Sequence, residues 1–155
     1  MRLLIVFAVF WLISVPASAV DYRWTVGFAQ GTTEAIIRNK DGASLNIYCP
    51  AGQIDTTPGM FLTSDKVRPR PQEQIIVQIV IDDENHSFSL REAHFKASGR
   101  AGLNALYSLV EAIVKSRSKS FVVEYPKFGS SERFSLLGAK KALESAGEFL
   151  RGCSD

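Results

Sequence analysis

Apolar and polar positions alternate along much of this chain with the period of two that marks a strand with one buried face. Trp24, Val26 and Phe28 alternate with Thr25 and Gly27; a Gln30-Gly31-Thr32 turn then leads to residues 34–38 as the hairpin partner. Asn39-Lys40-Asp41-Gly42 contains Asp-Gly, a tight-turn signal because both residues tolerate positive φ. Beyond it Leu45, Ile47 and Cys49 alternate with Ser44, Asn46 and Tyr48. The opening predicts an antiparallel meander of three short strands. The clearest strand is Gln74–Ile81, which puts Ile75, Val77, Ile79 and Ile81 on one face. Residues 82–85 form a polar turn, and Phe88 and Leu90 carry the return strand, with an irregular continuation toward Phe95 and Lys96. Phe121, Val123 and Tyr125 predict another strand, Pro126 and Gly129 a turn, and Phe134 and Leu136 its partner.

Two stretches change to a helical period. Leu103, Leu106, Val110, Ile113 and Val114 share a face over about residues 103–116, with Lys115 and Arg117 suited to the negative end of the helix dipole. Leu136 or Leu137, Ala139, Leu143, Ala146 and Leu150 share one over about 137–150, where Lys140 and Glu144 form an i,i+4 pair. The order is strands, helix, strand pair, helix. It predicts an α+β domain built on a mostly antiparallel sheet or a small β-sandwich with two helices.

One segment has neither period. Between residues 50 and 74, Gly52, Pro58, Gly59, Pro69 and Pro71 interrupt any pattern, so a long loop is expected, with Met60-Phe61-Leu62 pinning its middle to the core. Its later part is basic. Lys66, Arg68 and Arg70 form the candidate patch for an acidic partner, since a proline-stiffened loop docks at low entropic cost.

The first residues have a different character. Arg2 supplies a positive charge, residues 3–15 are almost unbroken apolar, Pro16 breaks the run, and Ala17-Ser18-Ala19 offers small side chains for cleavage. The run falls short of the ~20 residues of a spanning helix. It reads as a signal peptide over 1–19, cut between Ala19 and Val20, with 20–155 a single soluble domain sent to the periplasm or secreted. The expectation is no stable membrane anchor after cleavage, because no cysteine stands directly after the cut and no later stretch is apolar enough to span a bilayer. The chain has two cysteines, Cys49 and Cys153, and an even count in an oxidising compartment predicts one disulfide between them. Beyond position 19 the chain holds 17 basic and 16 acidic residues, a balance that argues against a nucleic-acid partner.

Candidate chemistry is sparse. His86 and His94 lack neighbours at metal-ligand or triad spacing, so surface positions are expected for both. Asp82, Asp83 and Glu84 lack the spaced ligands and glycine of a calcium loop, and read as a solvated turn. Asn85-His86-Ser87 fits a glycosylation triplet of a kind that arises often by chance. Gly129-Ser130-Ser131-Glu132 reads as a turn. The sequence therefore supplies no catalytic residue, no cofactor-binding residue and no metal ligand.

Further landmarks are a tryptophan strand after the signal, Asp41-Gly42-x-x-Leu45-x-Ile47-x-Cys49, and Phe134-Ser135-Leu136-Leu137-Gly138-Ala139 followed by Ala142-Leu143 and Cys153. In these the chain resembles small bacterial exported proteins of the invasion-associated locus B type. It is also similar to periplasmic accessory proteins of type VI secretion systems. The resemblance implies a non-enzymatic envelope or secreted protein, associated with virulence or secretion, that works through contacts with another protein. The alternative is an inhibitor or immunity protein against a periplasmic enzyme such as a cell-wall hydrolase.

Overall fold

A computed structural model describes residues 22–29, 31–50 and 57–144. The expected signal peptide lies outside the described residues, as do Cys153 and residues 145–150 of the second expected helix. Nine strands form one antiparallel sheet: β1 Thr25–Ala29, β2 Thr32–Arg38, β3 Ser44–Pro50, β4 Gly59–Thr63, β5 Gln74–Ile81, β6 Glu84–Arg91, β7 His94–Lys96, β8 Ser120–Tyr125 and β9 Ser130–Ser135. They lie in the order β1-β2-β3-β4-β7-β6-β5-β8-β9. One helix, α1 Gly99–Lys115, connects β7 to β8.

The architecture is mainly β, which corrects the α+β expectation, and a single sheet, which corrects the sandwich. The reason lies in β4 and β7. The meander β1–β3 and the group β6-β5-β8-β9 have no strand in common. Pairing of Gly59, Met60 and Phe61 with Lys96, Phe95 and His94 joins them into one surface. β4 falls inside the expected long loop, where Met60-Phe61-Leu62 does more than pin a loop. Gly59 and Met60 are both buried, so this strand lacks the alternation that betrays the others.

Alternation is clean along β3, β5 and β8. Ile37, Leu45, Ile47, Met60, Val77, Ile79, Leu90, Val123 and Phe134 are all fully buried on the inner face. Phe121 and Phe134 stack there at a centroid distance of 5.4 Å. α1 adds Leu106, Leu109, Val110 and Ile113 to this core, each worth roughly 2 kcal/mol of transfer free energy. It begins four residues before its expected start, because its first turn is exposed or half-buried and carries no apolar signal. Helical residues 139–144 contribute Ala139, Ala142 and Leu143.

Both tight hairpins at this end of the chain use two residues with positive φ, Asp82-Asp83 (48° and 69°) and Glu92-Ala93 (50° and 68°). The first places His86 within β6, where its side chain is 10% exposed, which corrects the surface position expected for it. The sheet curls until its ends meet at one point: the Trp24 backbone N–H donates to the Leu137 carbonyl (2.9 Å), and the Trp24 ring N–H to that of Ser135 (3.1 Å). Among the described residues no cysteine is free, and Cys49 takes part in a disulfide, in keeping with the bridge expected from the cysteine count. Cys49 is buried on β3, and Cys153 lies outside the described residues.

Candidate functional site

The residues facing away from the core on β2, β3, β4, β7 and β6 form two continuous rows. Register pairs Asn46 with Phe61, Phe61 with His94, and His94 with Arg91. The neighbouring row runs Glu34, Tyr48, Gly59, Lys96. Between them lies an open groove of about 950 Å³. Two local features create it. β6 and β7 are joined by a single register pair, Arg91 with His94, and part beyond it, so Ser89 and Lys96 line a gap. Gly59 has no side chain to fill the floor, and a Cβ there would stand 2.3 Å from the Phe95 carbonyl and 2.7 Å from the Tyr48 hydroxyl.

The groove combines a ring platform with polar groups. Phe61 and His94 rings pack at 4.4 Å, and His94 Nδ1 lies 3.1 Å from the Glu92 carbonyl. That distance favours the Nδ1–H tautomer. Arg91 stands exposed at the end of the first row. Asn46 Oδ1 and Ser89 Oγ are buried in the groove wall with no hydrogen-bond partner. Buried polar atoms left unpaired are costly, each by roughly 1–3 kcal/mol.

The three basic residues picked out from the sequence do not act together. Lys66 is drawn into a different cluster, donating to Asp41 Oδ2 (2.9 Å) and Glu132 Oε2 (3.2 Å). Glu132, on β9, is 2% exposed and also accepts from Asn39 Nδ2 (2.8 Å) and Ser64 Oγ (2.7 Å). Asn39 in turn accepts the backbone N–H groups of Asp41 and Ala43, so the Asp-Gly turn is held from within. Burial pushes the Glu132 carboxyl upward, but hydrogen bonds from Ser64, Asn39 and Lys66 outweigh it and hold the group below the ordinary carboxylate range. Lys66 is raised, by its hydrogen bonds to Asp41 and Glu132. Burial, with the Glu132 charge behind it, raises the Tyr125 hydroxyl. This cluster clasps the β2–β3 turn and the chain after β4 to β9.

Arg68 and Arg70 remain exposed, and the Arg70 backbone N–H donates to Glu73 Oε2 (2.7 Å). We expect Arg68→Ala and Arg70→Ala to change stability by less than about 0.5 kcal/mol, whereas Lys66→Ala lowers the melting temperature measurably. Equal melting curves for all three would show that Lys66 is not part of the clasp.

Sequence reasoning passed over most of the residues that matter here. Asn46, Phe61, Ser89 and Arg91 sit at polar or apolar positions that alternation explains without remainder, and Glu132 reads as part of a turn. The available signal was the oddity of a charged residue on the inward register of β9, between Ser130 and Phe134. Among the described residues no group of His, Cys, Asp and Glu is placed to hold a metal ion, and no helix is long and apolar enough to cross a membrane.

Residues 22–143 match a protein-family model described as YfjT. The chain belongs to the YfjT family. The YfjT match takes in all nine strands and α1, so the groove and the Glu132 clasp both lie within the family's bounds. No curated protein and no solved structure matches the chain.

Proposed function

We propose that this YfjT-family chain is an exported, non-enzymatic interaction module of the bacterial envelope that receives an extended segment of a partner protein in its outer groove. The observation that carries the reading is the pair of buried, unpartnered atoms in the groove wall, Asn46 Oδ1 and Ser89 Oγ. An extended peptide offers what both need, a backbone N–H for the amide oxygen and a carbonyl for the hydroxyl. Arg91 beside them selects an acidic residue in that segment, through a charge-assisted pair. Further support comes from the export signal in the sequence and from its resemblance to exported proteins that act through protein contacts. The non-enzymatic reading rests on His94, whose ring packs on Phe61 and whose Nδ1 is taken by a backbone carbonyl.

Affinity capture from an envelope extract tests the reading. The wild-type chain should retain one partner in stoichiometric amount, and Arg91→Glu should weaken its hold at least tenfold, about 1.4 kcal/mol. Arg68→Ala with Arg70→Ala should leave it unchanged. A partner held equally by wild type and Arg91→Glu removes the groove from the proposal. The same preparation tests export: amino-terminal sequencing of the periplasmic or secreted form should begin at Val20, and an N-terminus at Met1 would refute the cleavage.

A further inference from the structure

The inner face of the sheet carries an apolar row that does not end where the core ends. Register aligns Phe95, Met60, Ile47, Ala35 and Val26 across β7, β4, β3, β2 and β1. Met60, Ile47 and Ala35 are 0–1% exposed, yet Val26 is 50% exposed and Phe28, on the same face of β1, is 71% exposed. Among the described residues β1 is an edge of the sheet. Its N-terminal end is closed by the Trp24 N–H, which donates to the Leu137 carbonyl, but from Thr25 to Ala29 the strand carries no edge-blocking residue of its own. Its five residues, Thr-Val-Gly-Phe-Ala, include no charge and no proline. The opposite edge differs. β9 carries the charged residues Glu132 and Arg133.

We propose that β1 pairs antiparallel with β1 of a second copy of this chain, about a two-fold axis at Gly27. The strand is complementary to itself in that one register. Gly27 then faces Gly27 of the other copy, and Val26 faces Phe28, an aromatic against a β-branched side chain, once on each side of the axis. Each inner apolar row is thereby continued by one more apolar residue. No like charges are set opposite one another, because the nearest charged position on the strand's own line, Arg23, falls opposite Gly31. Charge chemistry points away from an acidic or basic partner segment at this edge. The five-residue contact is small for a stable interface, so the dimer is weak and concentration-dependent.

The test uses the chain from Val20, which contains every described residue. Sedimentation equilibrium should show a monomer–dimer equilibrium across the micromolar to millimolar range. Phe28→Lys should raise the dissociation constant at least tenfold, with folding checked by circular dichroism. A second measurement does not depend on that variant. A Cβ at Gly27 meets nothing within 4 Å, so Gly27→Cys is tolerated. It should form a reducible dimer on mild oxidation, because the two Cα atoms face each other across the axis. Thr25→Cys should not, since its copies lie beyond the ~7 Å that a disulfide spans. A monomer at every concentration, or equal cross-linking at positions 25 and 27, overturns the proposal.

Discussion

Replacing Glu132 with alanine is expected to cost about 3 kcal/mol, a fall in melting temperature on the order of 10 °C. The loss comes from the donors left behind. Asn39 Nδ2, Ser64 Oγ and Lys66 Nζ all converge on this one carboxylate, and Asn39 is 6% exposed, so water cannot replace the acceptor on that side. Lys66 suffers less, because its ammonium still reaches Asp41 and solvent. Glu132→Gln should fall between, since an amide oxygen satisfies one or two of the donors while its NH₂ group turns a donor toward another. The same geometry sets a pH dependence. The Glu132 carboxyl titrates lower in the folded chain than its ordinary 4.5, so the folded state favours the ionised form. Its contribution is complete above that value and is lost as pH falls through the depressed folded value. Differential scanning calorimetry at pH 7 and through the acid range measures both effects. Glu132→Gln should show a shallower acid slope than wild type, and parallel slopes would mean the carboxylate is not the clasp.

The strands were legible because their burial is one-sided. Ile75, Val77, Ile79 and Ile81 alternate in sequence and are buried in the structure, and Leu45, Ile47 and Cys49 do likewise. What the sequence hid is how the strands join. β4 has two consecutive buried residues, and β7 is three residues long, too short for any period to show. These two strands decide between a sandwich and one sheet, so the error in fold class follows from the least patterned residues in the chain. The candidate site was hidden for a related reason. A groove on the outer face is made by register across five strands, and Asn46, Phe61, His94 and Arg91 are up to 48 residues apart in sequence. The basic run Lys66, Arg68, Arg70 was visible as local charge, but nothing local shows that Lys66 has a buried partner 66 residues away.

Gly59 is where fold and site meet, and Gly59→Ala is expected to damage both. Its backbone is extended, so the conformational freedom of glycine is not what the position needs; space is. The added methyl would lie 2.3 Å from the Phe95 carbonyl and 2.7 Å from the Tyr48 hydroxyl. A tyrosine ring can swing aside, but a backbone carbonyl within a paired strand cannot move alone. The register of Gly59 with Lys96 and of Met60 with Phe95 has to shift, and with it the Ala97 N–H to Pro58 carbonyl bond of 2.9 Å beside it. Among the described residues this junction is the one strand pairing that joins the two groups, so strain here is not absorbed locally. We expect a loss of about 2–3 kcal/mol, the upper part of the range for overpacking, seen as a melting temperature lower by roughly 8 °C. Tyr48 is displaced into the groove at the same time, so partner capture should weaken even where the protein remains folded. Gly27→Ala serves as the stability control, because a Cβ there meets nothing within 4 Å, and its melting temperature should match wild type. If Gly59→Ala melts with Gly27→Ala, then β4 and β7 have room between them and the floor of the groove is not set by the missing side chain.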